Sequence, residues 1–508
     1  MILQKKHFIL LAVLLVAMMS VAVAADVNDS TTESVTTPAV THTTDNTDVQ
    51  TTVLTENEIK KDVTETVTKE AISGQTRAIT PTTHNVNNTT FDTYFKAAGF
   101  ESNVNSGDTL NFTGNVNRIN SSYKVDKAVI ITGNGFTLDL NTIKGYDDES
   151  NPTYIEFTNG ANNSNITNLK FHNTQVFTTS ASNIVFDNIN VTVDNQGVGK
   201  GTGYFAMRTG VRNITVKNSY FYAANNTGCS AVVITFGEDC TIDNNTIIGQ
   251  GTVGNLVYLN QFGQTGNGIT QNKNNTISNN IIIGPDEDSS ICQAITIGGP
   301  HNHIINNIIN YTGKGIIGNW AGTYNPANNT TNDYYNDTYV GNGYINNTLN
   351  NGASFSGAQN SLVAGNNFTG PAIIAKNSKV KFNRFDNTTT INQYSNVTNN
   401  IFKSDVTLKN NINFKNNNAE NSTVYVNGAN CDLCNNTINT LVVSASPTYV
   451  CYDNTFTNDP DPEDPHIIWY DHGTRGNSLT SSNNVLNKKV SSSVKTEGEE
   501  GPTEINIT

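Results

Sequence analysis

The sequence has few charged residues, and basic residues are the scarcer kind. Asp, Glu, Lys and Arg together make up 14 % of the 508 residues, compared with roughly 25 % in ordinary globular domains. The 29 basic side chains are outnumbered by 43 acidic ones, which gives a formal net charge of -14. Because proteins that bind nucleic acid present basic surfaces, nucleic acid is not expected as a partner.

Apolar residues and good helix formers are also scarce. Apolar types make up 36 % of the chain, against roughly 45–50 % in typical domains. Asn and Thr together exceed a quarter of the sequence, and both are poor helix formers. This composition argues against a helical bundle. The 39 Gly and 12 Pro are too few for a collagen-like or wholly disordered chain.

The one long apolar run lies at the start of the sequence. A basic stretch at residues 5–7 precedes the uncharged residues 8–23, and Ala-Val-Ala at 22–24 offers a small-x-small cleavage pattern. These features predict a secretory signal peptide over residues 1–24, so we expect a secreted protein at the cell surface. An N-terminal membrane anchor is the alternative, although the run is short for a span. No later segment reaches about 18 consecutive apolar residues, so no transmembrane segment is expected in the mature chain.

Three further segments are distinguished by composition. Residues 25–89 are Thr-rich and acidic without a sustained apolar period, which predicts a disordered stalk. After Thr90, which can serve as N-cap, apolar residues at i, i+3, i+4 and i+7 predict a short helix over Phe91–Ala98. The Glu-rich end of the chain, residues 490–508, predicts an acidic disordered tail.

From about residue 165 a short phrase recurs: an apolar residue, two others, usually Asn, any residue, and an apolar residue. Full copies begin at Ile242, Ile277, Ile304, Tyr344, Val363, Val380 and Val397, and degenerate copies at Ile166, Ile184, Val216, Phe414, Leu433 and Cys451. From Tyr344 onward the starts differ by 17 to 19 residues, which is too short for a helix pair or a propeller blade. One coil of a β-solenoid fits this length. The longer upstream steps require loops or a second, unrecognised turn.

The recurring Asn has a physical reason. Asn tolerates the left-handed backbone region that a sharp bend needs, and stacked coils place Asn above Asn, where the amides form a hydrogen-bonded ladder. The Asn residues expected in this row are Asn245, Asn280, Asn307, Asn347, Asn366, Asn383 and Asn400. The apolar positions stack into interior rows, which gives each coil a core that it could not bury alone. An Asn-rich disordered tract, the alternative, lacks such regular apolar spacing.

These features predict an all-β fold, a single-stranded parallel β-helix over residues 90–489 with the helix at Phe91–Ala98 covering its N-terminal end. The signal peptide, the stalk, the segments Phe91–Phe95 and Ile130–Asn134 and the Ile-x-x-Asn-x-Ile/Phe coils resemble the adhesin-like surface proteins of gut methanogenic archaea. The resemblance covers about residues 1–490 and implies a secreted, generally right-handed parallel β-helix at the cell surface. No Ig-like or cell-wall-binding repeats, which many members carry, are recognised here.

Catalysis is the alternative function, because β-helices also host polysaccharide lyases and hydrolases. His301 and His303 share a strand face, and Glu238 adjoins Asp239. A second group of ionisable residues consists of Asp459, Asp461, Glu463, Asp464, His466, Asp471, His472 and Arg475. None recurs at a spacing that brings two carboxylates together, and two His residues make an incomplete zinc site. We therefore assign no catalytic residue and expect no metal or cofactor, although the Asp-Pro-rich loop at 459–465 offers weak calcium affinity as an alternative.

The chain has six cysteines, and export permits disulfides. Cys431 and Cys434 form a C-x-x-C, and Cys451 follows one coil later, so a bridge between neighbouring coils is a candidate. Cys229 and Cys240 are candidates for a bridge across a loop. Buried free thiols in the interior rows remain the alternative for this second pair.

A long step between two repeats holds an aromatic insert. The aromatic residues are Tyr311, Trp320, Tyr324, Tyr334, Tyr335 and Tyr339. Exposed aromatic rings beside amides and hydroxyls can stack on sugars and hydrogen-bond them, whereas a loop packed onto the solenoid by its own rings is the alternative. The sequence thus favours a non-catalytic adhesin that binds an extracellular glycan or another cell's surface. A β-helix carbohydrate-active enzyme is the second hypothesis.

Overall fold

The chain forms a nearly all-β structure in which parallel strands stack coil upon coil. It is seen in a computed structural model. The structure describes residues 80–119, 121–140, 153–194, 203–223, 231–235, 237–249, 255–260, 272–284, 293–311, 314–318, 341–350, 352–354, 360–444, 448–457, 467–470, 478–482, 494–497 and 504–506. The predicted signal peptide and most of the predicted stalk lie outside these residues. Among the described residues there is no helix long and apolar enough to cross a membrane.

Most coils contribute three short strands, and each strand pairs with its counterparts in the neighbouring coils. We call the three stacks, and the outer surfaces they form, the first, second and third faces, in the order in which the chain visits them. The strands of the first face are Thr83–Val86, Thr109–Phe112, Ile130–Thr132, Asn165–Thr167, Val185–Asp187, Thr215–Lys217, Thr241–Asp243, Thr276–Ser278, His303–Ile305, Gly343–Ile345, Leu362–Ala364, Lys379–Lys381, Asn396–Thr398, Asn413–Lys415, Asp432–Cys434, Thr448–Tyr452, Ser478–Ser482 and Glu504–Asn506.

The second and third faces belong to one continuous sheet. The second face consists of Val116–Asn117, Thr137–Asp139, Lys170–His172, Asn190–Val193, Tyr220–Ala223, Thr246–Gly249, Ile281–Ile283, Ile308–Asn310, Thr348–Leu349, Asn367–Phe368, Arg384–Phe385, Ile401–Phe402 and Thr455–Phe456. The third consists of Tyr123–Val125, Tyr154–Phe157, Gln175–Thr179, Phe205–Arg208, Val232–Thr235, Val257–Asn260, Gln293–Ile297, Lys314–Gly318, Ala353–Ser354, Ala372–Ile374, Thr389–Ile391, Val406–Leu408, Ile467–Tyr470 and Val494–Glu497. Two longer strands, Asn418–Val426 and Thr437–Ser444, run through both faces.

The strand register defines the coils and shows what the long upstream steps are. Ile304 pairs directly with Tyr344, so the long step between them is one coil carrying extra chain between its strands. Ile166 pairs with Phe186, so the repeat copy begins at Phe186 and not at Ile184. Ile184 and Phe186 are both fully buried. Because residues two apart face the same side of a strand, the apolar pattern alone did not distinguish these two starts.

The predicted helix over Phe91–Ala98 is wrong. A single 3₁₀ turn, Phe91–Thr93, is followed by an antiparallel hairpin of Phe95–Lys96 and Gly99–Phe100. Phe91 and Phe95 are fully buried and stack with their ring centroids 4.4 Å apart. The apolar spacing that suggested a helix therefore reflects packing onto the first coils, which overrides the weak local helix propensity.

Both ends of the solenoid extend beyond the boundaries set from the sequence. Thr83–Val86, assigned to the stalk, pairs in parallel with Thr109–Phe112. Val494–Glu497 and Glu504–Asn506, assigned to the acidic tail, pair with strands of the third and first faces. Composition misplaced these boundaries because a terminal strand gains its stability from the neighbouring coil and not from its own apolar content.

Another short 3₁₀ turn, Asn159–Ala161, precedes the strand at Asn165.

At the corner between the first and second faces, two successive residues have different roles. The first adopts the left-handed conformation, as Asn399 does at φ 57°. The second is a buried asparagine whose amide Nδ2 donates to Oδ1 of the asparagine one coil further along, at 2.9–3.1 Å. The row contains the seven expected residues, Asn245, Asn280, Asn307, Asn347, Asn366, Asn383 and Asn400, and continues through Asn417 and Asn436 to Asn454.

Apolar side chains fill the space enclosed by the three faces. Ile277, Ile304, Val363 and Val380 are fully buried members of one interior row on the first face. On the second face Phe368, Phe385 and Phe402 stack in parallel with ring centroids 5.0 Å apart. One contiguous core thus runs along the solenoid, and the outward side chains remain free to form binding surfaces.

Candidate functional site

The third face carries a hydrophobic cluster on its outer side, separate from the interior core. The outward positions of five successive coils are occupied by Glu156, Phe177, Ala206, Val233 and Tyr258, each paired with the next. Phe177 is fully buried, and Ala206 and Val233 are nearly so. These strands therefore bury apolar residues on both sides, whereas most strands of the other faces carry an exposed or partly exposed residue outward.

Polar groups border this third-face cluster. The hydroxyl of Thr179 donates a hydrogen bond to Oε1 of Glu156 over 2.7 Å. The guanidinium of Arg208 lies 5.2 Å from the ring centroid of Phe177, a cation–π contact. Burial raises the pKa of Tyr258 to about 12, so its hydroxyl stays protonated and able to donate. Because Phe177 is fully buried, the groups here that can contact a saccharide are the partly exposed rings of Tyr154 and Tyr258, together with Glu156 and Arg208.

Glu156 lacks a second carboxylate beside it on this face. In the third-face strands from Tyr123 to Gly318, Glu156 is the one acidic residue. Hydrolysis of a glycosidic bond by the usual route needs two carboxyl groups roughly 5 to 9.5 Å apart. The third-face strands from Tyr123 to Gly318 thus offer one carboxylate for such a reaction.

Glu238, a catalytic candidate from the sequence, belongs to an ion-paired ladder. Its Oε1 and Oε2 atoms lie 3.0 Å from Lys273 Nζ and 3.3 Å from Arg212 Nη2. Arg212, Glu238 and Lys273 are bridged in successive coils, so the carboxylate stands between two cations. Asp239 occupies the next position with φ 57°, in the left-handed region. Glu238 and Asp239 thus have a structural role at a corner of the solenoid.

His172 stands between two carboxylates on the outer side of the second face. Its Nδ1 and Nε2 atoms lie 2.8 Å from Asp139 Oδ2 and 2.8 Å from Asp194 Oδ2. Burial by itself lowers the pKa of His172, but the hydrogen bonds and charges of Asp139 and Asp194 outweigh it and raise the pKa above the ordinary value. The imidazolium form is therefore favoured, which suits an electrostatic link between three coils.

His301 and His303 lie together on the outer side of the first face, and both are exposed. Burial and the neighbouring His301 lower the pKa of His303. A Cβ at Gly341 would lie 2.6 Å from Nδ1 of His301, so the glycine of the next coil leaves room for the imidazole. No group of three or more His, Cys, Asp or Glu side chains that could hold a metal ion is found in the described part of the chain.

Most of the predicted binding and acidic residues lie outside the described residues. These are Trp320, Tyr324, Tyr334, Tyr335 and Tyr339 of the aromatic insert, and Asp459, Asp461, Glu463, Asp464, His466, Asp471, His472 and Arg475. Tyr311 is described, and it agrees with the alternative in which the insert's rings pack onto the solenoid. Its side chain is 2 % exposed and belongs to the interior core. A Cβ at Gly284 would overlap its ring, so this ring fills the space left by the glycine.

Three of the described cysteines are free thiols. Cys240 and Cys431 are buried, Cys434 is partly exposed, and none of the three forms a disulfide. Cys451 pairs in register with Leu433, and Cys434 pairs with Tyr452, so Cys434 and Cys451 are not opposite each other. Burial raises the pKa of Cys240 to about 12, which makes it an unreactive core residue. The predicted bridges that involve these three residues are corrected accordingly; Cys229 lies outside the described residues.

Sequence reasoning missed the third-face cluster. A signal for it exists, because the strands Gln175–Thr179, Phe205–Arg208 and Val232–Thr235 lack the strict apolar and polar alternation of the other faces. Continuous apolar strands are typical of sheets covered on both sides. These strands lie outside the recurring Asn phrase, so the repeat carries no information about them.

No protein-family model matches the chain, and no match is found among curated proteins. The chain is similar in structure to the catalytic domain of a GH87 α-1,3-glucanase (14 % identity, TM-score 0.35, covering 81 % of this chain and 68 % of that one). It is also similar to PfbA, a surface adhesin of Streptococcus pneumoniae, with 14 % identity and a TM-score of 0.27 over 75 % of this chain and 84 % of that one. A third similar structure is the tailspike protein of E. coli bacteriophage HK620, with 12 % identity and a TM-score of 0.34 over 82 % of this chain and 72 % of that one. These structures include both an adhesin and a glycan-active enzyme, and at these values they carry no argument about activity.

Proposed function

We propose that this protein is a secreted, non-catalytic cell-surface protein of the adhesin-like kind found in methanogenic archaea, binding extracellular glycans or other cells through the faces of its solenoid. The observation that carries the proposal is repetition. Successive coils present amide and hydroxyl groups at equivalent outward positions, such as Asn183 and Asn213 at one corner and Thr215, Thr241 and Thr276 on the first face. Glu238 and His172, by contrast, are held by ion pairs with residues of neighbouring coils. Weak contacts repeated along such a surface, or across many copies on a cell, add through effective concentration without a deep pocket.

Bead attachment tests this function directly. Beads coated with the purified chain are expected to adhere to glycan-coated surfaces or to cells of the same habitat, in proportion to coating density and without loss on chelation. Lys403→Thr, which removes a charge from the second face, serves as a matched surface control. Beads that adhere no better than beads coated with bovine serum albumin would exclude the adhesin function.

The aromatic insert remains a proposed contact region for its undescribed residues. Replacing Trp320, Tyr334 and Tyr335 together by Ala is expected to weaken bead attachment while the circular dichroism spectrum of the solenoid stays unchanged. Cleavage after Ala24, as for a signal peptide, is tested by N-terminal sequencing of the exported protein.

A β-helix carbohydrate-active enzyme is the second candidate, and Glu156 is the observation that favours it. This residue pairs in register with Phe177, whose ring contacts Arg208, and its carboxylate already accepts a hydrogen bond from Thr179. Release of reducing ends or unsaturated products from a panel of polysaccharides, abolished by Glu156→Gln, would establish the enzyme and exclude the non-catalytic function. Absence of products together with bead attachment would support the adhesin.

A further inference from the structure

Left-handed corner residues follow a nearly uniform rule along the solenoid. From the coil of Ile166 onward, the corner that enters the first face has positive φ at Asn163, Asn183, Asn213, Asp239, Asn274, His301, Gly341, Asn360, Asn377, Tyr394, Asn411 and Asn430. The corner that leaves it has positive φ at Asn168, Asn188, Asn218, Asn244, Asn279, Asn306, Asn346, Gly365, Phe382, Asn399, Asn416, Asn435 and Asp453. All but three of these residues are Asn, Asp or Gly, the types that tolerate this conformation.

Two of the three exceptions are aromatic and lie in adjacent coils. Phe382 has φ 58° and Tyr394 has φ 60°, values that are strained for bulky side chains. Their counterparts in the neighbouring coils are Gly365, Asn377, Asn399 and Asn411, so the repeat has unstrained residues for these positions. Backbone strain that the local fold does not require is a sign that the strained residue has a function.

Neither ring belongs to the interior core. Tyr394 is 62 % exposed, and Phe382 is half-buried. Tyr394 stands at the corner that enters the strand Asn396–Thr398, and Phe382 stands at the corner that leaves the adjacent strand Lys379–Lys381. The paired strands between them form a strip of the first face with an aromatic residue at either edge.

Basic side chains lie on this strip. Lys379 and Lys381 occupy its outward positions and form no ion pair with any carboxylate of the described residues, and Lys381 Nζ lies 5.9 Å from the Phe382 ring centroid. Residues 376–415 contain seven basic and two acidic side chains, the reverse of the ratio of 29 to 43 in the whole chain. Some of the other basic residues in this segment have carboxylate partners. Arg384 Nε, for example, lies 2.7 Å from Asp386 Oδ1.

We infer that Phe382, Tyr394, Lys379 and Lys381 form a platform that binds an acidic polysaccharide, one built from uronic acids. This inference rests on the proposed adhesin function and names a ligand class for it. The ring faces stack against the C–H faces of pyranose units, and the ammonium groups attract the carboxylates. The exposed amides of Asn396 and Asn413, which follow Lys379 in the same outward column, are available to hydrogen-bond sugar hydroxyls.

Polygalacturonate and its fully methyl-esterified form are the probes, because they differ in charge and share the sugar backbone. Biolayer interferometry with the full chain is expected to give at least about tenfold tighter binding to polygalacturonate, with a preference that shrinks as salt screens the lysines. The double variant F382N/Y394N, which restores the residue type of neighbouring corners, is expected to weaken binding of both polymers about tenfold. K379T/K381T is expected to weaken only the binding of the acidic polymer.

Matched controls separate the platform from the rest of the surface. K403T removes a lysine of the second face, and Y425T removes a tyrosine of the third face; neither is expected to change polygalacturonate binding. Thermal melts verify that every variant is folded. Equal binding of the two polymers, tighter binding of duplex DNA than of polygalacturonate, or unchanged binding by F382N/Y394N would each overturn the platform.

Failure of the platform and failure of the adhesin function give different results. If coated beads attach to cells but the chain does not bind polygalacturonate, the platform is excluded and the adhesin function stands. If the chain binds polygalacturonate through the platform but coated beads do not attach to cells, the ligand class is supported and cell attachment is excluded.

Discussion

The side-chain amide of Asn347 donates a hydrogen bond to Oδ1 of Asn366 over 3.0 Å, although the two residues belong to different coils. The same Oδ1 also accepts from the backbone N–H of Asn347 at 2.9 Å. Asn347 Nδ2 donates in addition to the carbonyl of Ile304 in the preceding coil. Each buried asparagine therefore satisfies backbone groups that a corner without water would leave unpaired, and it links three coils in doing so.

Interrupting this row is expected to destabilise the solenoid strongly. Asn383 donates to Asn400 and to the carbonyl of Val363, and it accepts from Asn366. Asn383→Ala leaves buried polar groups unpaired, so we expect a loss of about 3 kcal/mol in the free energy of unfolding. Urea titration followed by circular dichroism measures it. Asn396→Ala, at an exposed strand position, is the control with an expected change below about 0.5 kcal/mol; equal losses would contradict the structural role of the row.

The packing of Tyr311 against Gly284 gives a second prediction. Because a Cβ at position 284 would overlap the Tyr311 ring, Gly284→Ala is expected to cost about 2 to 3 kcal/mol through overpacking. The same substitution in a Tyr311→Ala background is expected to cost much less, since the small side chain leaves room. Thermal melts of the four proteins measure the coupling, and additive losses would mean that Tyr311 does not fill this space.

Features that recur in each coil could be predicted from the sequence, and features that occur once could not. The Asn row and the interior rows recur once per coil, so a single chain contains many copies of the signal. Phe186 and Ile184 could not be ranked as a coil start because both face the core, and only pairing with Ile166 selects one. The segment after Thr90 has no second copy to compare, so its apolar spacing was interpreted as local structure when it reflects packing.

The outer faces were harder to predict for a related reason. The outer faces differ from coil to coil through departures from the repeat, such as the outward but buried Phe177 with Arg208 beside it, or Tyr394 at a corner that holds Asn in most coils. Without the strand register, no departure can be assigned to a face or set beside its neighbours. Tyr311 shows the converse, because the sequence left open whether an aromatic residue in the insert is exposed or packed, and only the structure places it in the core.

The link of His172 with Asp139 and Asp194 predicts a pH dependence of stability. Because the folded-state pKa of His172 is raised above its ordinary value of 6.5, its contribution is complete below about pH 6.5 and is lost as the pH rises through the raised value. The stability difference between the wild type and His172→Asn is therefore expected to shrink between acidic and alkaline pH. Urea midpoints measured from pH 5 to 9 test this. A difference that grows with pH would show that the imidazolium is not the stabilising form.

Tyr394 gives a prediction about stability that does not involve a ligand. Its φ of 60° disfavours a bulky residue, and Asn411 holds φ 57° at the same corner one coil later. Tyr394→Asn is therefore expected to stabilise the free protein by about 0.5 to 1 kcal/mol, and Asn411→Tyr to destabilise it by about 1 kcal/mol. Urea unfolding of both variants measures the pair. Gain of stability with loss of polygalacturonate binding in F382N/Y394N would mean that strain is retained for recognition. If Tyr394→Asn instead lowers stability, the ring is anchoring the solenoid, and the reason for assigning it to a ligand is removed.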